Sequence, residues 1–204
     1  MGVADLIRTH TSDWQAATQH AFLDAVREGA LPDGAFQTWL VQDYLFVGDL
    51  LTYQSRLLAR APRRAQAVLI SGLAALEAEL TWFEAHAETR RWRLDADREP
   101  ATAQYRSTMV GLEDAAPIVG LAALWAIERA YLDSWKSAAP GDSAYADFVE
   151  HWTAPAFEEY VRGLERAADD AILGGGDAGV ETAFLRIARR EREFWDMALG
   201  GRQA

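Results

Sequence analysis

Apolar residues recur every three or four positions along nearly all of this 204-residue chain. That period places them on one face of an α-helix; a strand would alternate. Breaks fall at Leu31-Pro32-Asp33-Gly34, Pro62, Pro117, Pro140-Gly141, Pro155 and Gly174-Gly175-Gly176, too often for a sustained coiled coil. The spacing predicts a short and a longer helix within 5–28, long helices over 34–60 and 62–89, and a short one over 101–111. Further helices are expected over 117–138, 143–152, 155–174 and 179–199. Asp33 is the expected N-cap of the first long helix, and Pro62 falls where a first turn tolerates proline. Short connections favour antiparallel neighbours, so the fold class is all-α, a helical bundle. The length suits one domain, taken as 1–204, although two small ones would fit it.

Three of the apolar stripes are broken by an acid. One runs Phe36, Trp39, Leu40, Asp43, Phe46, Val47, Leu50. Another runs Leu121, Leu124, Trp125, Glu128, Tyr131, Leu132, Trp135, and the last Phe184, Ile187, Ala188, Glu191, Phe194, Trp195. Each acid occupies a core position of its helix. A buried, unpaired carboxylate costs several kcal/mol, so each must be paired, protonated or aimed at a polar cavity. Any one of them reads as a structural acid; all three on central stripes point to a site built inside the bundle. Burial would also raise their pKa values towards the range useful for acid–base chemistry.

Two chemistries use such acids. A carboxylate-bridged metal pair wants Glu-x-x-His, and none of His10, His20, His86 and His151 stands three residues after a Glu. Metal-free hydrolysis needs one carboxylate to activate water and another group to donate a proton or hold an amine. A formal charge of −11 opposes binding to nucleic acid or anionic membranes. The one arginine-rich stretch, Arg90 to Arg98, is interleaved with Asp95 and Asp97 and reads as a solvated loop. The chain has no Cys, hence no disulfide, thiolate metal site or catalytic thiol. No apolar run is long enough to span a bilayer, and Met1 to Ser12 lacks the core of a signal peptide. A cytoplasmic location is expected. Phosphate-binding loops, dinucleotide fingerprints and Gly-x-Ser-x-Gly elbows are missing from the sequence. The 8 Trp serve cores and ligand pockets equally well.

The segment Phe36-Gln-Thr-Trp-Leu-Val-Gln-Asp-Tyr-Leu-Phe-Val47 resembles the Phe-x-x-Tyr/Trp-x-x-Gln-Asp-Tyr element of the TenA family. Glu191-Arg-Glu-Phe-Trp-Asp-Met-Ala198 is similar to its Glu-x-x-Phe-Trp-x-Met closing element, and His20-Ala-Phe22 with Gly29-x-Leu-Pro32 resembles its opening helix. The resemblance implies a haem-oxygenase-like helical bundle. It also exposes a departure. The common branch carries a nucleophilic Cys in a Pro-Cys-x-Trp-x-Tyr segment, whereas the matching helix here, Ala123 to Trp135, has Glu128 and no Cys. The Trp-Ala-Ile-Glu form resembles the family's Glu-bearing branch.

By resemblance, the expected activity is hydrolysis of an aminopyrimidine in thiamin salvage, releasing the exocyclic amine or an N-formyl group. Asp43 would hold the amino-pyrimidine edge, Glu191 would bind or protonate the leaving amine, and Glu128 would be base or nucleophile. Tyr105 would bond a ring nitrogen, while Phe46 and Trp152 would stack on the ring. Glu79 (or Glu77) is a further substrate-binding candidate, although the place of Glu79 beside the Leu76–Leu80–Phe83 stripe reads more simply as a solvated edge. No cofactor or metal is expected. The partner is a small-molecule pyrimidine, and the assembly a homodimer or homotetramer. The rival readings are a metal-dependent oxygenase on the same fold and a non-catalytic pyrimidine-binding or regulatory protein.

Overall fold

The computed structural model describes residues 2–175 and 179–200, and among them ten helices and no strand. They are α1 (Ala4–Thr9), α2 (Thr11–Thr18), α3 (Ala21–Glu28), α4 (Ala35–Arg60) and α5 (Arg63–Arg90). The chain continues through α6 (Pro100–Leu112), α7 (Pro117–Ala138), α8 (Ala146–Thr153), α9 (Pro155–Gly175) and α10 (Val180–Ala198). The long helices follow the predicted periods closely, because each carries a wide apolar stripe with a breaker at its end.

Local chemistry sets the boundaries. Pro117 opens α7 at its first turn, where no N–H partner is lost, and Gly29 closes α3 in the left-handed region at φ 67°. Asp33 does not cap α4; Gly34, at φ 80°, takes that position and donates no side-chain cap. Pro62 precedes α5 as its N-cap instead of lying in its first turn. The N-terminal region holds three short helices, one more than expected, because the backbone leaves the helical region at His10 and Gln19. His20 then caps α3 by accepting from the Phe22 amide at 3.1 Å. The expected Gly174-Gly175-Gly176 stop is met only in part by the description, since α9 runs through Gly175 and Gly176 lies outside the described residues.

Helices α4, α7 and α10 pack on one another at the centre. Helix α5 leans on α4 and α9, α9 returns to α7, α6 covers α4 and α10, and α8 caps the side of α7. Trp39, Trp125, Trp135 and Trp195 are fully buried in the resulting core. The charged stretch after α5 is pinned down despite its composition. Arg98 forms a two-bond ion pair with Asp49, and Gln42 donates to the Asp97 carbonyl while accepting from the Glu99 amide. Among the described residues, no helix is long and apolar enough to cross a membrane.

Candidate active site

The inward acids converge at the centre of the bundle. Asp43, Glu128 and Glu191 are 1%, 6% and 2% exposed. Glu79 of α5 joins them, so α4, α5, α7 and α10 each contribute a carboxyl. Three of the four acids accept a hydrogen bond from an aromatic residue on another helix. Tyr131 donates to Asp43, Tyr105 donates to Glu191, and the Trp152 indole donates to Glu79 at 2.9 Å. Asp43 Oδ1 and Glu128 Oε1 are buried with no partner, which leaves them free to meet a ligand.

Burial drives the electrostatics. It lifts the Glu191 carboxyl to about 8 and the Glu79 carboxyl to about 7, with the Tyr105 and Trp152 hydrogen bonds opposing the rise. Asp43 and Glu128 are pushed well above the ordinary carboxylate range by burial, and the neighbouring acids push them further. Four negative charges this close in a dry interior would repel strongly, so some of the cluster stays protonated at neutral pH. A site with both neutral and ionised carboxyls can give a proton at one atom and take one at another.

Asp43, Phe46, Glu79, Glu128, Tyr131 and Trp152 border an inner cavity of about 20 Å³. That is room for about one water, far short of an aromatic ring. An open groove of about 790 Å³ lies outside it between α5, α8 and α9. Glu79 and Trp152 line both spaces and form the partition between them. The groove adds Trp82, His86, His151 and Tyr160. Burial lowers the pKa of both His86 and His151, so they stay neutral around pH 7. Among the described residues, no group of three or more His, Asp or Glu side chains is arranged to hold a metal ion.

The structure therefore gathers Asp43, Phe46, Glu79, Glu128 and Trp152 on one cavity. Glu79 is half-buried, reaching both the cavity and the open groove, and its carboxyl accepts from the Trp152 indole. Glu191 and Tyr105 stand behind the cavity wall, with the Tyr105 hydroxyl given to Glu191 and not to a vacant position. Trp152 is locked among aromatic rings, stacked on Trp135 at 4.9 Å and edge-on to Trp39, Trp82 and Tyr131. Sequence reasoning missed Tyr131 and Tyr160 as polar members of the site. Tyr131 was visible as one more aromatic on the Glu128 stripe, and nothing local marked its hydroxyl.

The model of the TENA/THI-4/PQQC family matches residues 7–201. The chain belongs to that family. Relatives span almost the same length. A Glycine max protein named "Probable bifunctional TENA-E protein" is 28% identical over 211 residues, covering 95% of this chain and 91% of its own. An "Aminopyrimidine aminohydrolase" of Halalkalibacterium halodurans is 27% identical, covering 93% and 91%. The crystal structure of a TenA homologue from Pyrococcus furiosus superposes with a TM-score of 0.92 at 26% identity, over 97% of this chain and all of that one. The all-α, single-domain bundle is thus the TenA fold.

Proposed function

We propose that this TenA-family chain is a C–N hydrolase acting on an aminopyrimidine related to thiamin, releasing the exocyclic amine or its N-formyl group. The observation that carries the reading is the pair of unpartnered carboxyl oxygens, Asp43 Oδ1 and Glu128 Oε1, on one buried cavity. The Halalkalibacterium halodurans relative, named an aminopyrimidine aminohydrolase, supports the reaction class.

A neutral carboxyl at Asp43 matches a 4-aminopyrimidine edge. Its O–H donates to a ring nitrogen, and its carbonyl oxygen accepts from the amino group. Tyr131 holds that carboxyl from behind. In the hydrolysis, water forms the new C–O bond, the C–N bond breaks with its electron pair going to nitrogen, and the amine leaves with one proton from the cluster. A second proton passes from the water to an ionised carboxyl. Burial lifts Glu191 and Glu79 to about 8 and about 7, the range in which a carboxyl can exchange a proton near neutral pH. Phe46 supplies an apolar face to the ring, and the embedded Trp152 sets the outer wall. A pyrimidine enters only when the Glu79–Trp152 partition moves, given the size of the cavity.

The test is ammonia or formate release from 4-amino-5-aminomethyl-2-methylpyrimidine and its N-formyl derivative, with thiamin alongside and with chelator present or absent. Release that ignores chelator supports the hydrolase and shows which bond breaks. Release that requires added metal favours the metal-dependent rival. No release, with the pyrimidine bound tightly in calorimetry, favours a binding or regulatory protein. A location in the cytoplasm and a homodimeric or homotetrameric assembly remain parts of the same proposal.

A further inference from the structure

Hydrolysis inside a closed cavity has to move protons as well as ligands. Under the hydrolase reading, one carboxyl gives a proton to the amine and another takes one from water. The cluster therefore ends each cycle with its protons on different atoms from those it began with. Asp43, Glu128 and Glu191 are all buried and have no direct exchange with solvent. Resetting them calls for a group that touches both sides of the wall.

Glu79 is that group. Of the four acids it alone lines the open groove, and it also borders the inner cavity together with Asp43 and Glu128. It is half-buried where the other three are buried. The inner cavity, about 20 Å³, has room for about one water. A water there would share its space with Glu79 and with the two oxygens that lack a partner, Asp43 Oδ1 and Glu128 Oε1.

The wall can stay shut while a proton crosses it. The Trp152 indole donates to Oε1 of Glu79 at 2.9 Å. An indole N–H is a donor only, and a neutral carboxyl still keeps an oxygen that accepts. Glu79 can therefore gain and lose a proton with the same hydrogen bond in place. A pyrimidine has to displace the partition; a proton does not.

No cation pins Glu79 in its ionised form. Its charge is felt by Asp43 of α4, Glu128 and Tyr131 of α7 and Tyr160 of α9. On the groove side α8 brings Asp147, Glu150 and His151, and α5 itself brings His86. Among the described residues, no Arg or Lys lines either space. Arg90 donates to Nδ1 of His86 at 2.9 Å, which places the hydrogen of that ring on Nε2. Burial keeps both imidazoles neutral near pH 7, whereas it brings the Glu79 carboxyl to about 7. The wall residue that both loads and releases a proton near neutral pH is the carboxyl.

We propose that Glu79 is the proton conduit of the site, exchanging protons between groove water and the buried acids while the partition remains closed. One proton arrives from one side and one leaves on the other, so Glu79 ends each passage as it began. The role in turnover rests on the hydrolase reading, and it goes beyond the substrate contact expected of Glu79 from the sequence.

The test is deuterium exchange of the buried carboxyl protons in the full chain without substrate, followed by rapid-mixing infrared spectroscopy at pH 6. The band to follow is the protonated-carboxyl band that disappears in Asp43→Asn. In wild type its isotope shift should quicken as imidazole is added, because that buffer meets Glu79 in the groove. Glu79→Gln keeps an oxygen for the Trp152 indole and cannot carry a proton, so exchange should slow by about tenfold or more and ignore imidazole. Glu79→Asp restores a carboxyl and should recover part of the rate and of the imidazole response. A Glu79→Gln chain that exchanges as fast as wild type, or faster, would mean that protons enter through openings of the wall, and would overturn the proposal. So would a slowed Glu79→Gln that still responds to imidazole, or a Glu79→Asp that behaves like it. No substrate takes part, so this outcome is independent of amine release, which tests the hydrolase reading by itself.

Discussion

Tyr131 Oη donates to Asp43 Oδ2 at 2.5 Å across the contact between α4 and α7, leaving Oδ1 of the same carboxyl unpartnered. One oxygen is held by the protein and the other is open to a ligand. Tyr131→Phe strands a buried polar group, which costs about 1–3 kcal/mol. Urea denaturation at pH 7 should show that loss, and calorimetry should show weaker pyrimidine binding. Unchanged stability together with unchanged binding would mean that Asp43 has found another donor.

Glu128→Gln keeps the shape of the side chain and cannot exchange a proton as an acid. It should still bind the pyrimidine while turnover falls by about 100-fold or more, the usual worth of a general acid–base group. Steady-state rates and binding isotherms on the same preparation check this. Normal turnover would reduce Glu128 to a structural acid.

The pH dependence of stability follows from burial of the acids. In the folded state the Glu191 carboxyl is lifted from its ordinary 4.5 to about 8. Folding therefore favours the protonated form. The stabilising contribution is complete below the unfolded value, and it is lost progressively as pH rises through the folded one. Glu79, lifted from 4.5 to about 7, acts in the same direction over a narrower window. Glu191→Gln keeps an acceptor for Tyr105 and removes the titration, so it should melt higher than wild type at pH 8.5 and close to it at pH 5. Thermal melts across that range measure the difference. A Glu191→Gln chain that melts lower at pH 8.5 would sink the argument.

Gly72→Ala sets two effects against each other. Alanine gains up to about 1 kcal/mol of helix propensity, while overpacking a tight core costs about 1–3 kcal/mol. The new Cβ would meet Gln54 and Tyr160, both already held by hydrogen bonds, so overpacking should win. The expected outcome is a net loss of stability in chemical denaturation. A gain would show that the pair gives way easily.

Much of this was legible before any coordinates. The period that places Trp39, Leu40, Phe46 and Val47 inside also places Asp43 inside, and the same logic brought Glu128 and Glu191 to one centre. What escaped depended on contacts between helices. Glu79 looked like the edge of a stripe because its helix is amphipathic over a narrow face, and only the approach of α8 puts Trp152 over it. Gln54, next to Tyr53 and one turn before Leu57, is a polar residue at a core position. That anomaly was of the kind that flagged the acids, and it went unread because amides carry no charge. The contact between Gln54 and Tyr160 depends on a carbonyl and a glycine of α5, an amide of α4 and a phenol of α9, a relation no single segment encodes.

The Glu79–Trp152 partition has a kinetic meaning. Trp152 is wedged among Trp39, Trp82, Tyr131 and Trp135, so moving it disturbs a whole aromatic cluster instead of one side chain. Ligand arrival then waits on an excursion of the protein. Association should saturate with ligand concentration and quicken steeply with temperature, while the acids behind the wall meet bulk water only during those openings.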